Sequence, residues 1–194
     1  MFNSFSRRRI VKVAVGFVAG IACVVETQAI VQAQFRGPIP FGIPNGTYTI
    51  QSLGTIPGAN YLDGRTANGT VGLAPGFAGG FTGARWSIVS RGSYYTIRSC
   101  GTIPGADYLD GRTANGTVGL APTYTGGFTG ARWSIFSRGT YYTIQSLGTI
   151  PGANYLDGRT GNGTVGLAPT YTGGFTGARW SINRTSESCP GGPG

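Results

Sequence analysis

Two hydrophobic patterns divide this chain. Near its start an apolar run, Val13 to Val25, follows a cluster of arginines, whereas from residue 48 onward apolar and polar residues alternate at period two, which predicts strands and no helix. The alternation is itself repetitive. Trp86, Trp133 and Trp180 stand 47 residues apart, as do Tyr61, Tyr108 and Tyr155. The copies cover 48–88, 95–135 and 142–182; the first two differ at six of 41 positions, and the third differs from each of them at four.

Within copy one, Tyr48 to Leu53 reads as a strand and Gly54 to Asn60, with Pro57-Gly58, as a turn. Tyr61 to Thr66 and Thr70 to Ala74 read as two strands joined through Ala67-Asn68-Gly69, because Asn-Gly tolerates the positive φ of a type I′ turn. A loop over Pro75 to Gly83 leads to a last strand, Ala84 to Ser90. Alternation places Ile50, Leu62, Val71, Leu73, Trp86 and Ile88 on an inward face, together with their equivalents in the other copies. Each such side chain contributes about 1.5 to 3 kcal/mol on burial, set against a backbone cost of about 1 to 2 kcal/mol per residue, so a single copy does not fold alone and the three share one core.

The copies, each running YTI, YLDGRT, GTVGLAP and GARWSI, resemble the β-trefoil of ricin-B-like (R-type) lectins, in which each copy ends in a Gln-x-Trp motif. The resemblance implies an all-β fold of pseudo-threefold symmetry with four strands per repeat: first and last strands form a six-stranded barrel, and middle hairpins cap it. The repeats are then 48–94, 95–141 and 142–182 within a domain over 47–182. In that family an aspartate early in the second strand receives two sugar hydroxyls, and Asp63, Asp110 and Asp157 match it. The family's Gln and aromatic platform in the third strand are replaced here by Gly72 and Ala74, and its Asn and Gln near the last strand by Gly83 and Ala84. The usual galactose pocket is therefore mostly missing.

The segment before the repeats changes the compartment. A cationic start, an apolar run too short to span a bilayer and Val31-x-Ala33 describe a signal peptide over 1–33, with Ala29 as second choice of cleavage site. Ser6-Arg7-Arg8-Arg9-Ile10-Val11-Lys12 also resembles a twin-arginine signal, so export by that route or by Sec stays open, to periplasm or exterior. Residues 34–46, with three prolines, read as an extended tether, and 183–194 as a flexible Gly/Pro tail. Removal of the leader takes Cys23 and leaves Cys100 and Cys189, expected to form a disulfide in an exported chain.

After residue 33 the chain carries 11 arginines, no lysine, no histidine and five acids, a net charge of +6. Without a histidine or lysine base, and with its repeated acids one per copy, it is expected to be no enzyme and to need no cofactor or metal. Asp107 and Glu187 occur once each, with no evident partner in the sequence. The expected role is a secreted carbohydrate-binding module with up to three weak sites, suited to acidic sugars because each copy also presents Arg65, Asn68 and Arg85 or their equivalents. The residues expected to bind are Asp110, Arg112 and Tyr124 in copy two and Asp157, Arg159 and Tyr171 in copy three, with Asp63 and Arg65 weaker. Copy one has Gly76-Phe77-Ala78 where the others have Thr-Tyr-Thr, and so lacks three hydroxyls. The alternative is a trefoil that binds protein, as a protease inhibitor or surface module. Nucleic acid is disfavoured by export and by the lack of lysine clusters, and no membrane span is expected in the mature form.

Overall fold

A computed structural model describes residues 42–54, 58–65, 70–101, 105–112, 117–148, 152–159 and 164–189. The leader, most of the tether, the Asn-Gly turns, the Arg65 side chain and the last five residues lie outside the described set. Twelve strands follow in order: β1 (Gly46–Ser52), β2 (Tyr61–Arg65), β3 (Thr70–Ala74) and β4 (Arg85–Ser90) in copy one; β5 (Tyr95–Ser99), β6 (Tyr108–Arg112), β7 (Thr117–Ala121) and β8 (Trp133–Ser137) in copy two; β9 (Tyr142–Ser146), β10 (Tyr155–Arg159), β11 (Thr164–Ala168) and β12 (Trp180–Arg184) in copy three. Thr82–Ala84, Thr129–Ala131 and Thr176–Ala178 each form a single 3-10 turn, so the last strand starts after Ala84 rather than at it.

The first and last strands of the copies pair around a closed ring, β1 with β4, β4 with β5, β5 with β8, β8 with β9, β9 with β12 and β12 with β1, all antiparallel. Closure removes the exposed edges that an open sheet would present. The middle hairpins β2–β3, β6–β7 and β10–β11 meet one another through β3, β7 and β11 and cap one end of this barrel. The fold is a β-trefoil.

Of the expected inward residues, Ile50, Leu62, Leu73, Trp86 and Ile88 and nearly all their equivalents are buried; Val71, Val118, Val165 and Ile182 pack against this core while keeping some exposure. Each tryptophan is fully buried, and its indole N–H donates to a carbonyl of its own copy's hairpin, Leu62, Leu109 or Leu156, at 2.8 Å. A buried indole without such an acceptor would forfeit its polar handle. The ring also reaches toward the next copy. A Cβ on Gly64 would sit 2.7 Å from the Ser99 hydroxyl and 3.2 Å from the Trp86 ring, and the same relation holds for Gly111 with Ser146 and Trp133 and for Gly158 with Ser52 and Trp180. The glycine in each YLDGR therefore keeps open the seam between successive copies.

The ordered framework reaches past the repeats at both ends. Ile43, placed by sequence in the tether, is buried in the core, and its N–H donates to the Tyr95 hydroxyl at 3.1 Å. At the other end the Thr185 N–H donates to the Thr47 carbonyl, Glu187 pairs with Arg85, and Cys189 forms the expected disulfide with Cys100, Cα atoms 4.8 Å apart. Thus Glu187 has a partner that sequence alone did not reveal, and so does Asp107, whose carboxylate accepts from Arg98 Nε. Arg98 and Asp107 replace a Gln and an Asn of the other copies together, a coupled change between β5 and the residue just before β6.

Trp133→Phe is expected to strand the Leu109 carbonyl and to destabilise the fold by about 1 to 3 kcal/mol, seen as a lower midpoint in urea without loss of β-sheet signal. Cys100→Ser with Cys189→Ser opens a loop of 89 residues and should cost about 4 kcal/mol in the chain-entropy description, measured against the oxidised protein by the same unfolding curve.

Candidate functional site

The candidate site is a shallow depression on the cap hairpin of copy two, whose framing contacts recur in part in the other copies. Asp110 on β6 lies directly across from Gly119 on β7, so on that face no side chain opposes the carboxylate. Two residues on, Arg112 points to the same side and folds back over the hairpin. A Cβ on Gly119 would lie 2.6 Å from its Nε, and its Nη2 stands 3.5 Å from the Leu120 carbonyl. Gly166 and Arg159 repeat this in copy three. The space that the lectin family fills with a third-strand side chain is thus filled by arginine reaching diagonally across.

The far wall comes from the 3-10 turn before the last strand. Its glycine, Gly130, packs against the Asp110 carboxylate and the Gly111 carbonyl so closely that any Cβ would overlap both. Gly83 meets Asp63 and Gly64, and Gly177 meets Asp157 and Gly158, in the same way. Gly130, Gly127, Pro122 and Phe128 complete a depression of about 410 Å³ around Asp110 and Arg112, within the roughly 300 to 1,000 Å³ range of small-ligand sites. Phe128 is 38% exposed, and its equivalents Phe81 and Phe175 are exposed to a similar degree. These aromatics were not singled out from sequence. Their signal was an aromatic surrounded by glycines in every copy, where no strand pattern calls for a buried ring.

Burial pushes the Asp110 and Asp157 carboxyls above the usual aspartate range, and the neighbouring Arg112 and Arg159 offset this only in part. Neither carboxylate has a hydrogen-bond partner among the described residues, whereas Asp63 does have an interaction of its own. A desolvated carboxylate beside a guanidinium can accept hydroxyl protons from a ligand that brings them.

The remaining expected residues divide. Asp110 with Arg112, and Asp157 with Arg159, are brought together. Tyr124 does not line the depression: its ring meets Tyr108 edge-on at 5.1 Å and carries the Arg91 guanidinium at 5.0 Å. Tyr171 does likewise with Tyr155 and Arg138. Arg85 is turned away to Glu187, and Arg65 and Asn68 fall outside what is described.

Asp110→Asn and Asp157→Asn should each raise the melting temperature slightly at neutral pH, because they remove a desolvated charge while keeping the shape. The pH dependence has a definite sign. With the folded-state pKa above the unfolded one, the native state holds the extra proton, so the stability from these groups is present at low pH and lost as pH rises through the folded pKa. The Asn variants should abolish that loss in a series of thermal melts run from acid to neutral pH.

No protein-family model matches the chain, and no curated protein does. Among solved structures it is similar to a GlcNAcα1-4Gal-releasing endo-β-galactosidase from Clostridium perfringens, with 17% identity and a TM-score of 0.58 over 73% of this chain and 33% of that one. It is also similar to a Polyporus squamosus lectin bound to Neu5Acα2-6Galβ1-4GlcNAc, with 21% identity and a TM-score of 0.54 over 74% of this chain and 50% of that one. A ricin B-like lectin from Macrolepiota procera, solved with lactose, has 22% identity and a TM-score of 0.54 over 74% of this chain and 99% of its own. The chain therefore spans only a third to a half of the first two proteins but nearly all of the third. At these identities the likeness is one of fold, and the chain is a β-trefoil of the kind that ricin B-like lectins have.

Proposed function

We propose that this protein is an exported, non-enzymatic carbohydrate-binding module whose sugar sites are the hairpin depressions at Asp110 and Asp157, with a weaker third site at Asp63 and Arg65. The observation that carries the reading is a half-buried carboxylate, with no hydrogen-bond partner among the described residues, set in a concave surface beside an exposed phenyl ring. A sugar offers adjacent hydroxyls for the carboxylate and an apolar face for the ring. Arg112 and Arg159 add donors in the same depression, which favours a sugar carrying a carboxylate or sulfate group. That the lectins of similar fold hold a Neu5Ac-containing epitope or lactose supports the same class of ligand.

Copy one is the weaker site for a local reason. In copy two the Thr123 and Thr125 hydroxyls lie 2.9 Å apart and the Thr125 N–H donates to Thr123, which fastens the loop that carries Phe128. Thr170 and Thr172 do the same in copy three. Gly76 and Ala78 cannot, so Phe81 is held less firmly before a ligand arrives. Export is supported by the disulfide and by the leader pattern, and no helix among the described residues is long and apolar enough to cross a membrane. The non-enzymatic reading is supported by the placement of the repeated acids, one on each hairpin.

An array of neutral and acidic glycans identifies the ligand, and calorimetry with the best hit then tests the residues. Asp110→Asn with Asp157→Asn should weaken binding at least tenfold, as expected for loss of hydrogen bonds to a charged acceptor at about 1.5 to 3 kcal/mol each, while Asp63→Asn has the smaller effect. Affinity should also fall on acidification sooner than for an ordinary aspartate, because the raised carboxyls take up their protons at higher pH. Silence on the array, together with capture of a defined protein, would place the molecule with the protein-binding trefoils instead.

A further inference from the structure

Two clusters of arginine and tyrosine lie outside the depressions, one at each junction between successive copies. At the first junction Arg91 and Tyr94 share a turn closed by a 2.8 Å bond from the Arg91 N–H to the Tyr94 carbonyl. The Arg91 guanidinium lies 5.0 Å from the Tyr124 ring centroid, and that of Arg132 lies 5.5 Å from the Tyr94 ring. Arg132 Nε also donates to the Tyr124 carbonyl at 3.1 Å, so five side chains, counting Tyr108, form one interlocked group. The second junction repeats the arrangement with Arg138 over Tyr171 at 4.8 Å, Arg179 over Tyr141 at 5.5 Å, and Arg179 Nε bonded to the Tyr171 carbonyl. Among the described residues none of these four guanidiniums has an acid within ion-pair distance; the acids Asp107 and Glu187 are taken by Arg98 and Arg85.

The third junction, where the segments flanking the repeats meet, shows what the position accepts. There Pro44 and Thr47 stand at the sites of Arg91 and Tyr94, Phe77 at that of Tyr124, and the arginine equivalent to Arg132 and Arg179 is Arg85. Arg85 holds a carboxylate, that of Glu187, on a tail fastened two residues later by the Cys189 disulfide. The chain itself thus fills one of three equivalent guanidinium positions with an acid.

From this we propose that the two open clusters are binding sites for the acid groups of an anionic polysaccharide, carboxylate or sulfate. Stacking on tyrosine holds each guanidinium in place before the ligand arrives and leaves the N–H groups of Arg91 and the Nη groups of Arg132, Arg138 and Arg179 for contact with an acid, the Arg138 Nε being bonded to the Thr143 hydroxyl at 3.4 Å. Two such sites, 47 residues apart in a threefold-related frame, match a ligand whose acid groups repeat along a chain, and binding both at once multiplies their affinities. The proposal stands apart from the depressions, since it uses neither the aspartates nor Phe128.

The test uses the mature, disulfide-bonded protein and calorimetry at about 0.1 M salt, where exposed charges more than about 10 Å apart are screened. The probes are oligogalacturonate and dextran sulfate, with neutral dextran and a DNA duplex of matched charge for comparison. Wild type should bind the two acidic polysaccharides and ignore neutral dextran, and excess lactose should not compete. Arg91→Gln with Arg138→Gln, both at exposed positions, should weaken binding at least about tenfold. Arg91→Lys with Arg138→Lys should restore only part of it, because lysine keeps the charge and loses the planar stack. Glu187→Gln should strengthen binding by freeing Arg85. Unchanged affinity in the Gln variant at a wild-type melting temperature would overturn the proposal. So would equal affinity for the DNA duplex, which would mark the clusters as an unselective cationic surface. If the Gln variant melts early, the comparison between the Lys variant and wild type carries the test.

Discussion

The hydrogen bond from each buried indole to a leucine carbonyl is the interaction on which the rest of the structure depends. It ties the last strand of a copy to the second, and so fastens barrel to cap. An unpaired carbonyl or indole in that dry interior would cost about 1 to 3 kcal/mol, and three would consume much of a domain's net stability of about 5 to 15 kcal/mol. With the indole fixed, its ring edge sets the room left for the next copy. Only glycine fits at 64, 111 and 158, and the serines at 99, 146 and 52 fit against it. Ser52, Ser99 and Ser146 in turn donate to the carbonyls of Gly177, Gly83 and Gly130, so every seam is closed by the same pair of contacts.

The depressions follow from the same constraint. Because Gly130 and Gly177 press against Asp110 and Asp157 and the carbonyls beside them, these two carboxylates are partly desolvated with no hydrogen-bond partner among the described residues. Gly119 across the strand leaves that face open, and arginine takes the vacated space. Glycine is thus used twice, once to pack and once to expose. The cost is a partly desolvated charge at Asp110 and at Asp157, and such a cost fits a surface shaped for an outside partner better than one shaped for stability alone.

How much of this could be read from sequence depended on whether the information was periodic. The 47-residue recurrence of Trp86, Trp133 and Trp180, with period-two alternation between them, was enough for the trefoil, its barrel and nearly all its core. What it could not locate were relations among near-identical copies. Tyr124 belongs to the loop expected to face the Asp110 hairpin, yet its ring carries Arg91 at the junction with copy one. Phe128 differs in no copy, so comparison among the copies does not point to it, and its one signal is the run of glycines around it. Asp107 looked solitary because its partner, Arg98, sits on the facing strand rather than beside it.

The six positions where copies one and two differ acquire a common meaning from the fold. Gln51 to Arg98 and Asn60 to Asp107 are one event, an ion pair between β5 and the residue just before β6. Leu53 to Cys100 puts a thiol where the C-terminal tail arrives, and the tail brings Glu187 to Arg85. Gly76, Phe77 and Ala78 against Thr123, Tyr124 and Thr125 fall where copy one meets the chain ends instead of a preceding turn. A threefold design has three equivalent junctions, but a linear chain can close only two with continuous turns. The third is closed by the segments flanking the repeats, and both the disulfide and the buried Ile43 serve that closure. The differences among copies are therefore mostly consequences of chain topology, and the chemistry that all three copies keep is the part that symmetry alone leaves unexplained.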